Sequence, residues 1–224
     1  MNQMISDKPL YNIVMNITNF IGLNILFLAA NVLFLLVFFF NISSPILLFI
    51  SLMPLAPALA GLFYATGKFM RAHELSFFKD FMKGYANNAK TAFKYGLVKG
   101  GLLTVLLINY RQIVMQEVMH PFFLLTLLLI LFIICLTLFA FPIMVRFEMT
   151  VKNLYLLALV CFFKQFKLTL LNVTTVTSFL IIYFRFPFLS LLLLPSVMVY
   201  FINFNLRHLL MKLEVQGGSN RVEM

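Results

Sequence analysis

The chain has 224 residues, 62% of them hydrophobic and 11% charged, where a soluble domain carries roughly 45–50% and about 25%. One water-facing core of this size cannot hide that much apolar side chain, so an ordinary soluble domain is excluded and lipid must be the main solvent. Lys and Arg number 17 against 7 Asp and Glu, a net charge of +10; beside spanning helices such an excess marks flanks held on the anionic inner leaflet, and nucleic acid is not the expected partner.

Residues 9–67 contain no Asp, Glu, Lys or Arg, and one helical span needs only about 20 residues. Two spans fit there, about 18–40 and 46–68, joined by a tight hairpin at Asn41-Ile42-Ser43-Ser44-Pro45. The first is too long for a signal-peptide core and no small-residue cleavage site follows it, so it is expected to remain as an anchor. Pro54 and Pro57 interrupt the second. A kink is the simple reading, and a broken helix offering backbone carbonyls to a solute is the functional one.

In 75–94, Phe77, Phe78, Phe81, Met82, Tyr85, Ala89 and Phe93 recur at helical spacing while Lys79, Asp80, Lys83, Asn87 and Lys90 take other faces. This predicts an amphipathic cytoplasmic helix that rests on the inner leaflet or docks onto a partner. The candidate partner or lipid surface is Lys68, Arg71, Phe78, Phe81 and Lys83, with Arg146 and Glu148 in the next basic loop. A third span follows at about 95–113, with Lys99 one turn inside its start and able to snorkel to the headgroups. Charge-free runs then place spans at about 122–144, 168–184 and 187–205, whereas the apolar stretch 154–163 is too short to cross. A single transmembrane domain, 1–210, ends in a polar tail, 211–224.

The positive-inside rule orients this array. With six spans and the N-terminus inside, fifteen of the seventeen basic residues lie on the inner side and only Arg111 and Arg185 outside. If 95–113 did not cross, five spans would remain and the basic residues from Arg146 onward would face outward. The expected fold is therefore an all-α polytopic membrane bundle of six helices, five being the alternative, with both termini cytoplasmic.

Chemistry is sparse. Polar side chains within spans include Asn24, Asn31, Asn172 and Thr175. They read as hydrogen-bond partners between helices or, with the Pro54/Pro57 break, as the lining of a polar path. Glu117-x-x-His120 has the spacing of half a carboxylate-bridged di-metal site, but its other half is missing. Cys135 and Cys161 lie in apolar stretches and read as small packing residues. No phosphate-binding loop and no catalytic cluster stand out, so no enzyme activity, cofactor or metal is expected.

Leu23-Asn24, Pro57-Ala58-x-Ala60, Phe78-x-x-Phe81-x-x-x-Tyr85, and Phe141-Pro142 followed by Arg146-Phe147-Glu148 together resemble the YesL family, bacterial membrane proteins of unknown function. The likeness runs in order over about residues 10–210. Members usually carry a Trp after the first-span Asn, where this chain has Leu26-Phe27. Genes of that family often stand beside carbohydrate ABC-transporter genes. The resemblance thus implies a non-enzymatic accessory component of sugar uptake in the bacterial cytoplasmic membrane, with ABC permease subunits as partners. Autonomous small-molecule transport is the alternative.

Overall fold

A computed structural model describes residues 9–40, 44–115 and 122–222. Among them every regular element is a helix: α1 (Pro9–Ala30), α2 (Val32–Phe39), α3 (Pro45–Leu52), α4 (Leu55–Ala72), α5 (Phe77–Met115), α6 (Phe122–Met144), α7 (Val151–Lys164), α8 (Phe166–Arg185) and α9 (Pro187–Val222). Five helical segments are long and apolar enough to cross a membrane: Pro45–Ala72, Phe77–Ile113, Phe123–Met144, Phe166–Arg185 and Ser190–Val215. A shorter apolar stretch, Val14–Ala30, lies in α1. Large apolar side chains on the outside, such as Phe184 at 80% exposure and Ile46 at 71%, mark a surface made for lipid. This is a multi-pass membrane architecture.

The helix limits reflect local chemistry. Ser44 caps α3 by accepting from the Leu47 N–H at 3.5 Å, with Pro45 in the first turn, where its missing donor costs nothing. Pro54 then ends α3, and Met53 N–H turns back to the Ile50 carbonyl at 3.2 Å. At the far end of α4, His73 adopts a left-handed backbone, φ 56°, and its N–H closes on the Phe69 carbonyl at 2.8 Å. The chain reverses there into α5, where the Asp80 carboxylate accepts from the Ser76 N–H at 3.0 Å and from Lys68 at 2.8 Å. Thr150 caps α7 in the same way as Ser44 caps α3.

Three boundaries differ from the sequence reading. The expected separate helix at 75–94 is continuous with the span after it, one rod of 39 residues, because nothing between Phe77 and Met115 removes a backbone donor. The polar tail from 211 continues α9 as far as Val222. It is held there by Arg146, which meets Glu214 through Nε and, at 2.7 Å, through a terminal guanidinium nitrogen. The first span is interrupted at Asn31, between α1 and α2. The hairpin residues Asn41-Ile42-Ser43 and the pair Glu117 and His120 lie outside the described residues.

The core gathers where α4, α5, α6, α7 and α9 meet. Phe141 is its hub: its ring stacks on Phe63 at 5.8 Å and takes Tyr95 edge-on at 5.6 Å, and Tyr95 in turn lies 4.7 Å from Tyr155. Such aromatic pairs contribute about 0.5–1.5 kcal/mol each beyond burial. Burial also raises the Tyr155 hydroxyl to about 12, so it stays protonated and donates to the Tyr95 carbonyl at 3.2 Å. The α4–α5 hairpin closes on glycine. A Cβ at Gly84 would overlap Tyr64, and one at Gly96 would stand 2.5 Å from the Ala56 Cβ.

That contact makes two glycines differ sharply from a third. Gly84→Ala and Gly96→Ala should each lower stability by about 1–3 kcal/mol through overpacking. Gly100→Ala, with its nearest neighbours at 3.9 Å, should be neutral or stabilising by up to about 1 kcal/mol. Denaturant unfolding of the three variants in one detergent provides the comparison.

Candidate functional site

Hydrocarbon offers no hydrogen bonds, so every amide inside the bundle must find a partner in the protein. Asn24, fully buried on α1, faces α9 one turn from its internal Pro195. Its Nδ2 donates to the Leu192 carbonyl at 2.7 Å, and its Oδ1 accepts from the Ser196 N–H at 2.8 Å. The side-chain amide thus bonds both ends of the Leu192–Ser196 rung, next to the rung that Pro195 cannot complete. Ser196 Oγ adds a bond to the Phe20 carbonyl at 3.1 Å.

Two further clamps hold α9. Asn203 donates to Thr66 Oγ1 at 2.9 Å and to the Phe63 carbonyl at 3.1 Å, tying α9 to α4. Asn205 donates to Asn172 Oδ1 at 3.0 Å and to Thr175 Oγ1 at 3.1 Å, tying it to α8. Asn31 instead turns back onto its own helix, donating to the Phe27 carbonyl at 2.7 Å, and its Oδ1 is buried without a partner. Asn24, Asn172 and Thr175 therefore bond helices together. The residues expected along one polar path fall into separate places: Asn24 at α1–α9, Asn172 and Thr175 at α8–α9, Asn31 beyond the end of α1, and Pro54 and Pro57 at the α3–α4 break.

Two ion pairs and Arg71 lie close together. Lys68 pairs with Asp80, which is 3% exposed, and Arg146 with Glu214. Arg71 is exposed near that second pair. Glu148, two residues from Arg146, is exposed. A recess of about 580 Å³ opens beside the Lys68–Asp80 pair, lined by Asn16, Asn19, Lys68, His73, Glu74 and Ser76 among others.

The expected surface of α5 divides in two. Phe81 is not on it: the residue is 2% exposed, and its ring fills the space that Gly61 leaves by having no Cβ. Phe78 remains 58% exposed, and Met82, Ala86 and Phe93 continue its stripe. Beside it runs an exposed basic stripe, Lys79, Lys83, Lys90 and Lys94, with Lys83 over the Tyr64 ring at 6.0 Å. Spacing alone cannot separate Phe78 from Phe81, because both fall on one broad apolar face. Nothing in the sequence singles out Asn205, Ser196 or Glu214 either, since each acquires its role from a residue 30 or more positions away.

Compared with protein-family models, curated proteins and solved structures, the chain matches none.

The amides give opposite predictions. Asn24→Leu removes both hydrogen bonds of the side-chain amide between α1 and α9, so stability should fall by about 1–3 kcal/mol. Asn31→Leu removes a buried oxygen that has no partner and should leave stability unchanged or raised. Thermal unfolding of both variants beside the parent chain checks the pair.

Proposed function

We propose that this chain is a non-enzymatic accessory subunit of a carbohydrate ABC-type uptake system in the bacterial cytoplasmic membrane. In this reading it is a YesL-like protein that crosses six times with both termini cytoplasmic. Its first crossing is α1 together with α2, and the charged end of the bundle faces the cytoplasm. The placement of fifteen of seventeen basic residues supports that orientation.

The observation that carries the reading is the two-sidedness of α5. Asp80, Phe81, Gly84, Ala92 and Tyr95 lock one face into the core, while Phe78, Met82, Lys79 and Lys83 stand exposed on the other. A rigid helix that presents an apolar stripe flanked by lysines suits an acidic, partly apolar surface of a permease, with anionic inner-leaflet lipid filling around it. A second reading, a facilitator with its path at the Pro54/Pro57 break, is favoured by Lys99, which faces that break from α5.

The test is purification of the tagged chain from native membranes in a mild detergent. Stoichiometric permease subunits should accompany the parent chain and be lost from a Phe78→Asp/Met82→Asp variant that inserts equally well. A parent chain that elutes alone overturns the accessory role.

A further inference from the structure

Where α1 passes the α4–α5 turn, an amide is nearly buried with nothing in the protein to bond. Asn19 is 9% exposed, makes no hydrogen bond to any described residue, and keeps both amide atoms accessible. It lines the recess of about 580 Å³ together with Asn16, three residues back on α1, and with Lys68, His73, Glu74 and Ser76 from the end of α4 and the turn. Amides this deeply buried normally have a partner, so this one points to a group that enters the recess from outside. The volume lies within the roughly 300–1,000 Å³ of sites for small organic ligands, well beyond what one ion or water needs.

The recess stands at a bilayer boundary. The apolar stretch Pro45–Ala72 ends beside it and α5 starts just beyond it at Phe77, which puts the turn at headgroup depth. Val14, Met15 and Ile17 are exposed on α1 next to it, and the Phe77 ring lies against Gly22, so an acyl chain has an apolar surface to follow. The polar lining carries both signs. Asp80 already holds Lys68 and the Ser76 N–H with its two oxygens, which leaves two ammonium hydrogens of Lys68 for a ligand. Glu74 is exposed and in no ion pair among the described residues. With His73 neutral, the two carboxylates outweigh Lys68, so a purely anionic headgroup is disfavoured and one bearing a phosphate and an ammonium is matched. A choline headgroup has no N–H for Glu74, and a glycerol headgroup has no cation. We propose that this recess holds the phosphoethanolamine headgroup of one membrane phospholipid, with its phosphate on Lys68 and Asn19 and its ammonium on Glu74. The site rests on the membrane reading alone: a chain that elutes without permease subunits leaves it standing.

The probes are phosphatidylethanolamine, phosphatidylcholine and phosphatidylglycerol with identical acyl chains, each titrated into the full chain in a neutral detergent. Retained lipid is counted by native mass spectrometry and the unfolding temperature is followed beside it. The parent chain should retain one phosphatidylethanolamine about tenfold more tightly than either other lipid, the worth of one charge-assisted hydrogen bond. Its unfolding temperature should rise, because a ligand bound only by the folded state stabilises it. Glu74→Gln, at an exposed position, should bring the three lipids level, and Asn19→Leu should weaken all three. If Asn19→Leu does not fold, Glu74→Gln and the parent series decide. Equal retention of the three lipids by the parent, a preference for phosphatidylglycerol, or an undiminished phosphatidylethanolamine preference in Glu74→Gln overturns the site. Glycerophosphoethanolamine, the same headgroup without acyl chains, should bind far more weakly; binding equal to that of the lipid overturns the lipid as the ligand.

Discussion

The structure depends on the demand of hydrocarbon that every backbone amide and carbonyl be answered within the protein, since an unanswered group costs several kcal/mol. The chain nonetheless places Pro54, Pro57, Pro142 and Pro195 in or beside its spanning segments. Pro142 and Pro195 leave α6 and α9 continuous, and beside Pro195 the Asn24 amide bonds the Leu192 carbonyl and the Ser196 N–H. Pro54 and Pro57 have no comparable side chain, and there the helix divides into α3 and α4. Two prolines are carried within continuous helices and two mark a break.

The restart beyond that break shapes the rest of the core. Because α4 starts anew at Leu55, its small residues Ala56 and Gly61 can be laid against Gly96 and Gly84 of α5. That close approach leaves room for large rings where the helices diverge. Phe81 sits over Gly61, and Phe63, Phe141 and Tyr95 stack beyond it. The same approach aims Lys99 at the start of α4.

The charged end works by a different rule. Each of the two salt bridges has one buried and one accessible partner, and each joins segments distant in the chain. Lys68–Asp80 fastens the α4–α5 turn, and Arg146–Glu214 fastens the last turns of α9 to the end of α6. With Asp80 and Phe81 committed inward, Phe78, Lys79 and Lys83 are left pointing away from the bundle on a helix that cannot roll. A fixed, two-sided α5 is what gives the accessory reading a definite docking face.

By itself the sequence determined the solvent and the helices: composition requires lipid, and charge-free runs place spans at 46–68, 122–144 and 168–184 close to the observed α3–α4, α6 and α8. These are legible because hydropathy and missing donors act over a few neighbouring residues. It also named Asn24, Asn172 and Thr175 as polar residues within spans, without their partners. Only the tertiary structure decided that Asn24 meets Ser196, that Asn205 meets Asn172 and Thr175, that Phe81 lies in the core while Phe78 does not, and that α5 and α9 run on past their apolar stretches. Those outcomes depend on which face of one helix meets another, and that is set by glycine gaps, ring shapes and long-range hydrogen bonds that no local pattern records.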